Sequence, residues 1–365
     1  MNFSKLVLTA LCFSLFFASC TNDDDNNDAP LGSYDKGFLI LNQGGFGHND
    51  ASVSFVSSDF VTAQNDIFSI VNPAITLGDT GQDVGFNNQN AYIVLNGSNK
   101  IEIVNRYTLK SVGTINSGLK NPRYIAFANG KGYVTNWGDG GDATDDFVAV
   151  IDLSSNKVSS TIPVVEGPER IIENSGKLYV AHKGGYGYGK TVSVIESGSN
   201  TVSTTITVGD VPESLLIKDG TLWVSCSGNP SYVSAPAIES AGKIVKVNLT
   251  TNKVTSTISY SDATKHLSNF VINGSDAYYT IDSGIYKMST SATTLPTTPA
   301  FSTTTQNVYG VYSFAVHGNH IYVGDAGNYI NNGKVYVYAL NAPSIGSLEK
   351  TFSVGIIPAG FYFND

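Results

Sequence analysis

The chain has 365 residues, 41% of them hydrophobic, and a formal net charge of −9 from 30 acidic and 21 basic side chains. This composition supports a large buried core, and an acidic balance with no basic stripe argues against nucleic acid as a partner. Three cysteines make no disulfide framework, so the fold must hold itself by burial, which a body of this length can supply.

The first elements in chain order are processing and anchoring signals. Met1-Asn2-Phe3-Ser4-Lys5 is a short positive start, and Leu6 to Phe17 is an apolar run of secretory length, too short to span a membrane as a stable helix. Phe17-Ala18-Ser19-Cys20 puts small residues before one cysteine and looks like a bacterial lipobox. On that reading residues 1–19 are a signal peptide and the Cys20 thiol is acylated; an ordinary cleaved signal is the alternative. Residues 20–33 then form a polar, acidic tether that can bury nothing. An acidic run directly after a lipidated cysteine resembles the surface-export signal of lipoproteins in one large group of Gram-negative bacteria. The expectation is a protein held to the outer membrane by lipid only, facing the cell exterior. Without Lys5 and the four tether aspartates the body keeps 26 acidic and 20 basic residues, a charge of −6.

Residues 34–365 read as one all-β domain. "KGFLILNQ" from Lys36, "ASVSFVSS" from Ala51 and "DIFSIVN" from Asp66 are taken as three strands. A self-similar unit follows, clearest in "NPRYIAFANGKGYVTNW" from Asn121, "GPERIIENSGKLYVAHK" from Gly167 and "VPESLLIKDGTLWVSCS" from Val211. Aligning Asp83, Arg123, Glu169, Glu213, Ser268, Tyr312 and Ala359 gives steps of 40, 46, 44, 55, 44 and 47 residues. Four strands at that spacing are the signature of a β-propeller blade. The seventh start has one strand left, "AGFYFND", and the three N-terminal strands complete it. The prediction is a seven-bladed propeller of four-stranded antiparallel blades, closed by pairing the C-terminal strand with the N-terminal strands, which removes a free sheet edge. Six blades is the competing count, because the unit at 268–303 is degenerate.

Loop lengths predict which face works. With strands named A to D from axis to rim, the A–B and C–D turns share one face and are economical hairpins such as Asn129-Gly130 and Asp219-Gly220. The B–C loops lie on the other face and are long in five units: 43–50, 138–146, 183–190, 227–241 and 326–333. Ordering such loops costs entropy, and binding residues concentrate on loops held by a rigid frame.

The candidate ligand-binding residues follow from that face. Asp83, Arg123, Glu169, Glu213, Asn269 and Tyr312 open the innermost strands around the axis. This ring of mixed charge suits a neutral or zwitterionic polar ligand; the alternative is that Pro-Arg and Pro-Glu only start strands and pair with one another. Trp137, Tyr186, Tyr188 and Tyr329, with Phe46 and Tyr232, supply flat apolar contact among Gly, Asn and Asp. His182 and Asp325 end B strands at the same face. Asp139, Asp142, Asp145 and Asp146 form a calcium candidate whose spacing fits no EF-hand. His48, His182 and His266 could share a metal only if three non-adjacent blades brought them together. Catalytic motifs are missing from the sequence: no Gly-x-Ser-x-Gly elbow, metalloprotease helix or phosphate loop occurs. The expectation is therefore a binding protein without a cofactor, with a lactonase-like hydrolase or a cell-surface interaction scaffold as alternatives.

"VPESLLIKDGTLWVS" and "KIVKVNLTTNKVTSTI" resemble the YncE-like, surface-layer-type seven-bladed propellers over residues 36–363. "GFLILNQGGFGHNDASVSFVSSD", "GDAGNYINNGKVYVYAL" and "VGIIPAGFYF" are similar to the surface lipoprotein propellers that capture corrinoids for an outer-membrane vitamin B12 transporter. The resemblance implies a corrinoid ligand on the looped face and a TonB-dependent barrel as partner.

Overall fold

The computed structural model describes residues 30–230, 239–341 and 343–364. The signal, Cys20 and most of the acidic tether lie outside the described residues, as does Tyr232. From Leu31 onward the chain forms one compact unit.

Its sheets are seven, each with four antiparallel strands, and successive A strands touch their neighbours around a ring. Blade 3, for example, runs Pro122–Ala128, Lys131–Asn136, Phe147–Asp152 and Lys157–Pro163 from axis to rim. Blade 4 repeats it with Pro168–Asn174, Lys177–His182, Thr191–Glu196 and Thr201–Thr207. The degenerate unit is a true blade: Ser268–Asn273, Asp276–Ile281 and Gly284–Ser289 are followed by a two-residue rim strand, Phe301–Ser302.

The strand patterns explain where the core sits. B and C strands are apolar on both faces, because each is sandwiched between neighbouring blades; Lys177–His182 is buried from its second residue on. Rim strands such as Lys253–Ser259 bury one residue, Ile258. Tyr179, Val192 and Val194 of blade 4 thus pack with Leu215, Val224 and Val245 of blade 5. Each such side chain contributes about 1.5–3 kcal/mol of burial. The A–B turns are tight: Asn129 and Gly130 have φ of 48° and 71°, and Asp219 and Gly220 of 49° and 70°. Two successive positive φ values match the right-handed twist of the flanking strands.

Closure occurs at blade 1, where Pro358–Phe363 pairs with Gly37–Asn42 in the register Phe38 to Phe363 and Ile40 to Phe361. Arg106 of blade 2 latches the end, donating from Nε to Asn364 Oδ1 at 2.8 Å and from Nη2 to the Phe363 carbonyl at 3.2 Å.

One predicted strand is wrong. "DIFSIVN" is a short helix, Ile67–Val71, and the rim strand of blade 1 is Ala63–Gln64. Apolar residues at 67, 68, 70 and 71 satisfy neither period alone; here Ile67 and Phe68 turn inward while Ile70 is exposed. Asn72 then ties the turn to blade 2, donating from Nδ2 to the Leu109 carbonyl and accepting from Ser111 N–H, both at 2.9 Å.

Candidate ligand-binding site

A repeated backbone device builds the mouth of the axis. The residue before each A strand is left-handed in five blades: Thr80, Asn121, Gly167, Val211 and Ile357 have φ between 55° and 64°. Its carbonyl accepts the N–H of the first residue after strand B, at 2.8 Å from Asn96, 3.1 Å from Trp137, 2.8 Å from Lys183, 2.9 Å from Ser227 and 2.8 Å from Gln43. Threonine, valine and isoleucine take this conformation only under strain, which the surrounding ring must enforce. The result ties each D–A connection to the B–C loop of its own blade.

A β-bulge follows in the first turn of strand A in blades 2 to 6, between Gly81 and Asp83, Pro122 and Ile125, Pro168 and Ile171, Pro212 and Ser214, and Ser268 and Val271. Two consecutive residues therefore face the axis instead of one. They form an upper tier of Gln82, Arg123, Glu169, Glu213 and Asn269, joined by Tyr312 of unbulged blade 7, and a deeper tier that includes Asp83, Tyr124 and Arg170. Together they wall a cavity of about 870 Å³ that reaches down to Ile172, Leu216 and Ala315. Phe46, Trp137 and Tyr186 line its entrance from the long B–C loops, and the A–B turns contribute nothing to its walls.

The upper tier is organised by one ion pair. Arg123 donates from Nε to Glu169 Oε2 at 3.0 Å and from Nη2 to Oε1 at 2.8 Å. Burial opposes the Glu169 charge, but the guanidinium outweighs it and holds the carboxyl below its ordinary range. Trp137 lies 4.2 Å from the guanidinium and donates its indole N–H to the Pro168 carbonyl at 3.0 Å. Tyr186 meets Trp137 edge-on at 6.0 Å. Glu213 accepts from Ser227 Oγ at 2.6 Å. Tyr312 hydrogen-bonds Gln43, and burial pushes its hydroxyl up to about 12. In the deeper tier, Asp83 Oδ2 accepts from Ile125 N–H at 3.1 Å and Oδ1 from the Tyr362 hydroxyl at 3.2 Å, while burial raises its carboxyl. The Arg170 guanidinium lies over the Tyr124 ring at 4.1 Å, and the Tyr124 hydroxyl accepts from Gln82 Nε2 at 3.0 Å.

Of the predicted ligand residues, the structure brings Asp83, Arg123, Trp137, Glu169, Tyr186, Glu213, Asn269 and Tyr312 to this cavity. Arg123 and Glu169 also pair with each other, as the structural alternative expected. Four others sit elsewhere. His182 is fully buried inside blade 4 with Nε2 2.8 Å from Ser193 Oγ, and burial drives it down to about 4. The Lys190 ammonium stands over the Tyr188 ring, Asp325 accepts from Gly327 N–H within its own loop, and Tyr329 is an exposed residue edge-on to Tyr312 at 5.9 Å. Strand period placed His182 correctly at the end of strand B, but that end is covered by the loop above it.

The aspartate loop does not gather as a cation site. Among the described residues no group of three potential ligands could hold a metal. Asp145 accepts from Asp139 N–H and pairs with Lys120 at 3.0 Å, Asp142 caps Thr144, and Asp146 turns inward to Gly167 N–H at 3.0 Å. Nor do the histidines converge: His266 contacts Ser227 and Glu239 while His182 is buried in another blade.

Sequence reasoning missed Arg170, Lys183, Gln43, Gln82, Asn96 and Tyr124. The available signal was the residue following strand B in each unit, which recurs at the mouth. A second signal was the alignment of Gln82, not Asp83, with Arg123: Gly81 pairs with the last residue of its B strand as Pro122 does.

Comparison with known proteins gives the fold clear company. A functionally unknown protein from Desulfotomaculum acetoxidans DSM 771 is 12% identical with a TM-score of 0.61, over 90% of this chain and 98% of that one. The Dos1 propeller is 11% identical with a TM-score of 0.56, over 87% and 82%. Apo AztD from Citrobacter koseri is 12% identical with a TM-score of 0.51, over 89% and 97%. At these identities the likeness is one of fold alone. No curated protein matches the sequence significantly. A family model described as "Domain of unknown function (DUF5074)" matches residues 36–342. The chain belongs to the DUF5074 family and builds its domain as a seven-bladed β-propeller.

Proposed function

We propose that this protein captures a small polar ligand in the axial cavity and binds it without turning it over. The observation that carries the reading is the cavity itself: about 870 Å³, polar-walled, and rimmed by the aromatic residues of the long loops. That size lies within the range of small-molecule sites. The ligand class we favour is a corrinoid. A planar macrocycle would lie across the mouth of the cavity against Trp137, Tyr186 and Phe46. Its neutral amide arms would reach Gln43, Gln82, Asn96 and Asn269, which offer both donors and acceptors. With Cys20 acylated, the propeller would stand on the outer membrane and hand the ligand to a TonB-dependent transporter. The similarity of the N- and C-terminal segments to corrinoid-capturing lipoproteins supports this.

Isothermal calorimetry of the mature protein with cyanocobalamin tests it. Saturable binding, with the corrinoid recovered unchanged afterwards, is expected. Absence of heat at micromolar ligand removes the corrinoid identity.

A further inference from the structure

Arg170 is the exception to the pairing seen elsewhere in the cavity. Arg123 is committed to Glu169 through a two-bond fork from Nε and Nη2. Asp83 has each oxygen occupied, by Ile125 N–H and by the Tyr362 hydroxyl. Arg170 is accessible within the cavity wall, its guanidinium carbon 4.1 Å from the Tyr124 ring; the charges of Asp83 and Glu169 act on it, but among the described residues it makes no hydrogen bond and no ion pair at contact distance. Its N–H donors open onto the cavity, and its planar fork matches two carboxylate oxygens. The Tyr124 ring backs the guanidinium on one side. Lys183 adds a second cation at the entrance, where Glu213 and Glu169 are its nearest charge partners, and together with Arg170 it offsets the acidic side chains of the mouth. Above Arg170, Trp137, Tyr186 and Tyr312 leave flat surfaces for the rest of the molecule.

We infer that Arg170 is the anion-reading residue of the cavity and that it takes the carboxylate of a planar organic acid. The inference rests on the cavity being a ligand site, not on a corrinoid occupying it; cyanocobalamin carries no carboxylate, so its titration decides that identity separately.

The test compares 4-nitrobenzoate with 4-nitrobenzamide, equal in shape and different in charge, by calorimetry at millimolar concentrations. The wild type should favour the acid by about tenfold or more, the worth of one charge-assisted bidentate pair. Arg170→Gln should abolish that preference. Arg170→Lys, which keeps the charge and loses the fork, should reduce it and serves if the glutamine variant folds poorly. Equal binding of both probes by the wild type, binding of neither, or a preference that survives in Arg170→Gln would overturn the assignment.

Discussion

Arg123 and Glu169, 46 residues apart, meet across the boundary between blades 3 and 4 in a two-bond pair at 3.0 and 2.8 Å. They occupy equivalent positions in successive blades, so the ring itself brings them together. The pair forms one wall of the cavity mouth and anchors Trp137 above it.

Removing one partner should therefore cost more than removing both. Arg123→Ala strands a carboxylate that is almost fully buried and should destabilise the domain by about 3 kcal/mol. Arg123→Met with Glu169→Leu should recover most of that loss, since a buried ion pair is often matched by apolar residues of similar volume. Urea denaturation of Arg123→Met, Glu169→Leu and the double variant, beside Arg123→Ala, measures this. A near-zero coupling energy would mean the pair is organisational only.

Gly167 should tolerate no side chain. Its φ is +64°, and a Cβ there would lie 1.9 Å from Gly185 N and 2.4 Å from Gly184 N. In blade 5 the equivalent position carries Val211, so the glycine is required by the 183–190 loop folded over it and not by backbone conformation alone. That loop is itself closely wound: a Cβ on Gly189 would meet the His182 carbonyl at 2.1 Å. Gly167→Ala should lower Tm and expose 184–189 to limited proteolysis. It should also shift the fluorescence of Trp137, whose edge partner Tyr186 sits on that loop. An unaltered proteolysis pattern would show that the loop is held from elsewhere.

Two buried groups should give the stability profile opposing slopes in acid. Burial raises Asp146 from 3.8 to about 6, so the folded chain holds a proton that the unfolded chain releases. Its contribution is most favourable below pH 3.8 and is lost as pH rises through about 6. Burial lowers His182 from 6.5 to about 4, so the unfolded chain binds the extra proton. That contribution is fully present above pH 6.5 and is lost as pH falls toward about 4. Asp146→Asn, which keeps an acceptor for Gly167 N–H, should raise Tm at pH 7 and give no gain below pH 3.8. His182→Asn should flatten the acid limb between pH 6.5 and 4. Thermal scans across pH 3.5 to 8 check both; an Asp146→Asn gain of equal size at every pH would remove titration as its cause.

Local chemistry alone determined much of this protein. Period-two runs, Asn-Gly and Asp-Gly turns and the recurring unit specify four-stranded blades, because each hairpin is decided within about a dozen residues. The single C-terminal strand left over, facing three N-terminal elements, specifies closure. Long B–C loops mark the face on which the axial cavity opens for the same reason, since loop length is written directly in the chain. The segment at 66–72 escaped this logic: its apolar spacing suits strand or helix, and contact with Leu109 and Ser111 of the next blade made it a helix. The site was decided by tertiary structure. A one-residue bulge, visible only in the pairing register, turns Arg170 as well as Glu169 toward the axis. Whether a charged residue at the mouth is spent or available depends on what the neighbouring blade presents. Blade 4 gives Arg123 a carboxylate in direct contact, while Asp83, whose charge acts on Arg170, is hydrogen-bonded to Ile125 N–H and the Tyr362 hydroxyl instead.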